Sequence, residues 1–157
     1  YADWTADELF IIFFDEENNM SKILKNALDF SNIYASYVFE EVNKNIEEKL
    51  VYDIGMASGI GLLGLQGPEK RKKTTITGES AGTAKRLETE AKNLRSNLNS
   101  KSPILIIDET LHNFVKKERI NIRFEKIKAK TKNIKDRFFY MWYNGILLKE
   151  KQLEINL

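Results

Sequence analysis

Apolar residues change their period several times along the chain, and each change marks an element. Leu9 to Phe14 is an unbroken apolar run with acidic residues on both sides, short enough for a strand covered on both faces. From Asn18 the spacing becomes three and four. Met20, Ile23, Leu24, Ala27, Leu28, Ile33, Tyr34, Tyr37, Val38, Val42 and Ile46 predict an amphipathic helix reaching to about Glu48. Asp15 to Ser21 supplies capping residues where that helix begins. Leu50 to Ser58 predicts a second strand. Gly59, Gly61, Gly64 and Gly67 punctuate the next stretch, so Ile60 to Leu65 reads as a short strand or hairpin arm. It turns at Gly67-Pro68-Glu69-Lys70 into the β-branched strand Thr74 to Thr77.

That strand breaks at Gly78 and runs straight into a helix from Ser80 to about Leu98, with Ala84, Leu87 and Ala91 at helical spacing and Glu79 or Ser80 as the cap. The polar stretch Asn97 to Ser102 is a loop. Ile104 to Ile107 is a buried strand, and Asp108-Glu109-Thr110 caps a short helix through Val115. Ile120 to Ile127 alternates like an edge strand. Phe138 to Tyr143, Asn144-Gly145 and Ile146 to Leu148 form the pattern of a hairpin with a two-residue turn. Together these elements predict an α+β sandwich, with helices on one face of a mostly antiparallel sheet.

Composition narrows the function classes. The 157 residues are enough for one domain with its own core, and 42% hydrophobic with 31% charged residues is ordinary for a globular protein. With no cysteine, disulfides and thiolate metal sites are excluded. Basic residues are spread out apart from Lys70-Arg71-Lys72-Lys73, and the net charge is +2, so nucleic acid is not an expected partner. The four-residue run reads as solvated, or as steering for a triphosphate. No apolar run approaches the roughly 18 residues of a membrane span. His112, the single histidine, reads as a surface or packing residue rather than a base.

The stretch Thr74-Thr75-Ile76-Thr77-Gly78-Glu79-Ser80-Ala81-Gly82-Thr83-Ala84-Lys85-Arg86-Leu87-Glu88 resembles the strand-to-helix block of class III nucleotidyl cyclases, T-V-I-G-D-x-V-N-x-A-x-R-L-E. Three further blocks follow the family's order. Ala6 to Phe14 resembles its G-D-G strand, Tyr52 to Gly59 its I-G-I-x-x-G strand, and Pro103 to Thr110 its P-I-L-V-S-E-E-T strand and turn. The resemblance implies a ferredoxin-like, palm-type fold over residues 1–157, beginning one strand into the family's domain. It also implies closure of a nucleoside triphosphate to a cyclic nucleotide, two divalent ions (magnesium or manganese), a head-to-tail homodimer or heterodimer, and a cytoplasmic place in signalling.

Residue by residue, Asp7 matches one of the family's metal-binding aspartates and Arg86 its transition-state arginine. The substrate-binding positions are substituted: Gly82 stands for an asparagine that orients the ribose, Asp3 for a base-reading lysine, and Lys73 for a base-reading aspartate. Ala6 puts a methyl group where the family has glycine. The resemblance further implies that Asp7 sits on a hairpin, shares a sheet with Thr75, and belongs to one site with Arg86, while Asp3 and Lys73 lie within charge-pair reach. Three other readings stand beside it. For Arg86 the bland one is an i,i+4 partner of Glu90 on an exposed helix face. For the whole chain it is a cyclase-fold domain that senses nucleotide or dimerises without turnover. Ala6 to Phe10 also resembles the G-G-D-E-F signature of diguanylate cyclases, a reading disfavoured by the Gly78 to Glu88 strand-to-helix block.

Overall fold

A computed structural model describes residues 1–5, 7–15, 17, 19–120, 122–127 and 138–142. They fall into two compact units, Tyr1–Glu48 and Lys49–Leu157. In the first, β1 (Ala2–Thr5) and β2 (Glu8–Ile11) form an antiparallel hairpin, registered from Ala2 opposite Ile11 to Thr5 opposite Glu8. Two bonds extend the ladder: the Ile12 N–H donates to the Tyr1 carbonyl at 2.8 Å, and the Tyr1 ammonium to the Ile12 carbonyl at 3.0 Å. The apolar run therefore stops being a strand at Ile11. Residues 9–11 are half-buried and Phe14 is exposed, because among the described residues β2 pairs with β1 alone.

Helix α1 (Met20–Tyr37) starts where Asn19 caps it, its Oδ1 accepting from the Lys22 N–H at 3.1 Å. Asp15 backs up the cap by accepting from the Asn19 N–H at 3.3 Å and pairing with Lys22 Nζ at 2.8 Å. Leu24, Ala27, Leu28 and Ser31 form its buried stripe, where the Ser31 hydroxyl donates to the Ala27 carbonyl at 2.9 Å. The helix closes through a π-helical turn, Val38–Val42, with the Asn43 N–H bonded back to the Val38 carbonyl at 2.9 Å. Helical geometry thus ends short of Glu48. The apolar spacing continues to Ile46, but the Asn45 side chain donates to the Glu41 carbonyl at 2.8 Å and takes an acceptor that a further turn needs.

The second unit contains β3 (Ile54–Met56), β4 (Leu62–Gln66), β5 (Lys73–Thr77), α2 (Glu79–Asn97), β6 (Ile104–Ile107), α3 (Glu109–Lys117), β7 (Glu125–Ile127) and β8 (Phe138–Trp142). Its main sheet has the order β3-β6-β8-β7, parallel between β3 and β6 and antiparallel at the other two pairings. This is the mostly antiparallel α+β arrangement that the pattern predicts. Strand β6 lies inside the sheet and all four of its residues are fully buried. Ile104 and Ile106 face α2 and form a core with Leu87 and Ala91, flanked by Ala57, Leu94 and Ile127.

Helix α2 comes so close to β3 that a Cβ on Gly55 would collide with the Ala84 carbonyl oxygen and the Glu88 backbone nitrogen. Only a residue without a side chain allows that approach. Strands β4 and β5 form a separate hairpin, registered from Leu62 opposite Thr77 to Gln66 opposite Lys73. The stretch Leu50 to Ser58 contributes only Ile54–Met56 to a ladder, and Ile120 to Ile127 only Glu125–Ile127. The turn Asn144-Gly145 and the strand Ile146 to Leu148 lie outside the described residues, as does Ala6.

Candidate functional site

The corner between β5 and α2 is built by backbone packing. Gly78 is the residue before the helix, its backbone is extended (φ 161°, ψ 167°), and a Cβ there would meet the Ile60 carbonyl oxygen at 2.8 Å. No side chain caps α2, so the expected cap by Glu79 or Ser80 is not formed. Helix α2 begins at Glu79 itself, whose carboxylate in the first turn complements the helix dipole, and Ser80 is half-buried against the position of Gly59.

Burial of Leu87 and Ala91 fixes the rotation of α2 and turns Gly82 and Arg86 outward together. They are four residues apart, one helical turn, on one exposed face. Nothing lies within 4 Å of a Cβ built on Gly82. Arg86 has no ion-pair or hydrogen-bond partner among the described residues, so the Arg86–Glu90 pair is not formed. The neighbouring cation is engaged instead: Lys85 Nζ lies 2.9 Å from Glu88 Oε2. Arg86 is therefore a guanidinium fork offered to solvent, the form that suits phosphate oxygens.

Two polar contacts that the sequence reading missed hold this scaffold. The Arg95 Nε–H, near the end of α2, donates to both Asp53 carboxylate oxygens at 2.9 and 3.0 Å, and the Asp53 side chain is only 3% exposed. Asp108 caps α3 through Oδ1, which accepts from the Leu111 N–H at 2.7 Å, while Oδ2 accepts from the Ser58 N–H at 2.7 Å. One carboxylate thus ties the start of α3 to the segment after β3. The sequence signals the cap on α3 but not its second bond, which spans 50 positions.

Asp7 lies exposed in the turn of the β1–β2 hairpin, as expected. The shared sheet is not found. Strands β1 and β2 pair with each other, and β5 pairs with β4, so Asp7 and Thr75 belong to different sheets among the described strands. The β4–β5 hairpin forms a sheet of its own among the described strands. The expected shared sheet therefore lends the resemblance no support. Asp3, half-buried in β1, and Asp7 belong to the first unit; Lys73, exposed at the start of β5, Gly82 and Arg86 belong to the second. Among the described residues no group of three His, Asp or Glu side chains is placed to hold a metal ion.

His112 is buried on α3 rather than on a surface turn, with its ring edge-on to Phe124 at a centroid distance of 5.8 Å. Burial lowers its pKa from 6.5, and the charges of Lys116 and Lys126 lower it further against the opposing pull of Glu109.

No family model matches the chain, and no curated protein matches it in sequence. Solved structures do. The guanylyl cyclase Cya2 superposes with a TM-score of 0.66 over 90% of this chain and 68% of that one, at 17% identity. The adenylyl cyclase CyaB from P. aeruginosa gives 0.62 over 91% of this chain and 70% of that one, at 15% identity. The fold is that of the nucleotidyl cyclases. At these identities the likeness speaks for the cyclase fold, and the site residues rest on their own geometry. No helix among the described residues is long and apolar enough to cross a membrane.

Proposed function

We propose that this cyclase-fold chain binds a nucleoside triphosphate and belongs with the nucleotidyl cyclase catalytic domains, with turnover to a cyclic nucleotide weakened at one position. The observation that carries the reading is Arg86, exposed, without a partner among the described residues, and one turn from Gly82 on the open face of α2. An exposed arginine is ordinary on a helix face, and its position is what gives it meaning. This one faces solvent where, by the resemblance, the triphosphate lies, and it would neutralise charge as pyrophosphate leaves. Removing such a donor typically costs about 3 kcal/mol of barrier stabilisation.

Gly82 has no side chain to hold a ribose, so the 3′-oxygen is not aligned for attack by this chain. Asp7 would offer one carboxylate to a divalent ion, and the described residues do not complete the donor set of a two-metal site. The head-to-tail dimer implied by the resemblance would join Asp7 of one subunit to Arg86 of the other, and a heterodimer partner with an asparagine would repair one of its two sites.

The test is cyclic product formed from each common nucleoside triphosphate, with manganese as its counter-ion, beside titration of nucleotide binding. Weak or absent product with measurable binding, reduced in Arg86→Ala, is expected. Cyclic product from Gly82→Asn that is unaffected by Arg86→Ala removes the reading; robust product from the unmodified chain removes the role given to Gly82. Binding without any product, unrestored by Gly82→Asn, selects the sensing or dimerising domain instead.

A further inference from the structure

His112 is 7% exposed and lies outside the site described above, and two cations from different elements flank its ring. Lys116 follows it by one turn on α3, so the two side chains share a helix face. Phe124 meets the ring edge-on, and Lys126 stands two residues beyond Phe124, on the same side of the chain as it runs into β7. Burial comes first among the causes that hold the imidazole neutral, and the charges of Lys116 and Lys126 add to it against one opposing acid, Glu109. Basic residues in the last turn of α3 complement the helix dipole. That accounts for Lys116 but not for Lys126, which belongs to a strand. Both lysines are exposed, and the Lys116 ammonium makes no hydrogen bond or ion pair among the described residues.

We infer that Lys116 and Lys126 form a clamp for a phosphate group, with the edge of the His112 ring as its inner wall. Two ammonium point charges beside one buried ring repel each other unless a counter-charge joins them, and a dianion is the ligand that satisfies both. Such an anion offsets the field that helps to keep the ring neutral, so its binding favours a proton on His112. By reciprocity the protonated protein holds the anion more tightly, and affinity rises as pH falls toward the histidine pKa. The site uses α3 and β7 alone and does not depend on the nucleotidyl cyclase reading.

The experiment follows the imidazole signals of His112, the single histidine of the chain, by NMR as pH is lowered, in sodium sulfate and in sodium chloride of equal ionic strength. Sulfate stands in for the phosphate dianion because it keeps both negative charges across the range. A saturable rise of the His112 pKa in sulfate, absent in chloride, is expected. Lys116→Gln and Lys126→Gln should each raise the half-saturating sulfate concentration about tenfold, with circular dichroism unchanged. Equal shifts in the two salts, which is screening alone, overturn the inference, as does a sulfate effect that ignores both lysine changes. Inorganic phosphate and adenosine monophosphate, titrated against the same signals, then separate the sources of the group. Tighter binding of the monophosphate assigns the clamp to a phosphate ester, and tighter binding of inorganic phosphate assigns it to the free ion.

Discussion

Glycine at 82 removes a hydrogen-bonding side chain without anything else filling the space. Because a Cβ there meets nothing within 4 Å, Gly82→Asn is free of clashes. It should leave the fold intact, gain a few tenths of a kcal/mol of helix stability, and raise cyclic product if orientation is what the chain lacks. Arg86→Ala in that background should lower the rate by about 100-fold or more with little change in melting temperature, since the exposed arginine makes no hydrogen bond or ion pair among the described residues. His112 gives a pH prediction of a different kind. Its folded pKa lies below the unfolded value of 6.5, so the unfolded chain takes up a proton more readily. Its contribution is intact above about pH 6.5 and is lost as pH falls toward the folded pKa. Thermal melts from about pH 7.5 to about pH 5.5 should show that loss, and His112→Gln should flatten it.

At the scale of elements, side chains far apart in sequence decide what the helices do. Arg95→Ala would leave the Asp53 carboxylate buried without its cation and should cost about 3 kcal/mol, read from denaturant unfolding. Asp108→Ala removes a helix cap and leaves the Ser58 N–H without its carboxylate, for about 2 kcal/mol. The Asp108 cap was legible in the sequence, but its bond to Ser58 and the Asp53–Arg95 pair were not, because contacts between segments about 40 to 50 positions apart carry no periodic signal. What periodicity did show was α2, β6 and α3, and the apolar positions of α2 and β6 meet in one core. It overran at α1, where the Asn45 side chain takes the Glu41 carbonyl, and at Leu9 to Phe14, where β2 pairs with β1 alone among the described strands.

For the whole molecule, local blocks in the right order were enough to anticipate a cyclase fold that no sequence comparison detects. They were not enough to show which strands share a sheet, since pairing is fixed by contacts between segments far apart in sequence. If the proposed head-to-tail assembly holds, two inactive variants should complement each other. In the Gly82→Asn background, mixing Asp7→Asn with Arg86→Ala should restore about a quarter of the parent rate, because half the dimers are mixed and each has one intact site. No recovery on mixing would place Asp7 and Arg86 in a site within one chain, or in none. The backbone contact at Gly55 gives separate access to that site from behind. A methyl group added there pushes on Ala84 and Glu88, the residues that bracket Arg86 on the buried side of the helix. Gly55→Ala therefore forces α2 away from β3 and moves Arg86 only by disturbing the core that the helix covers.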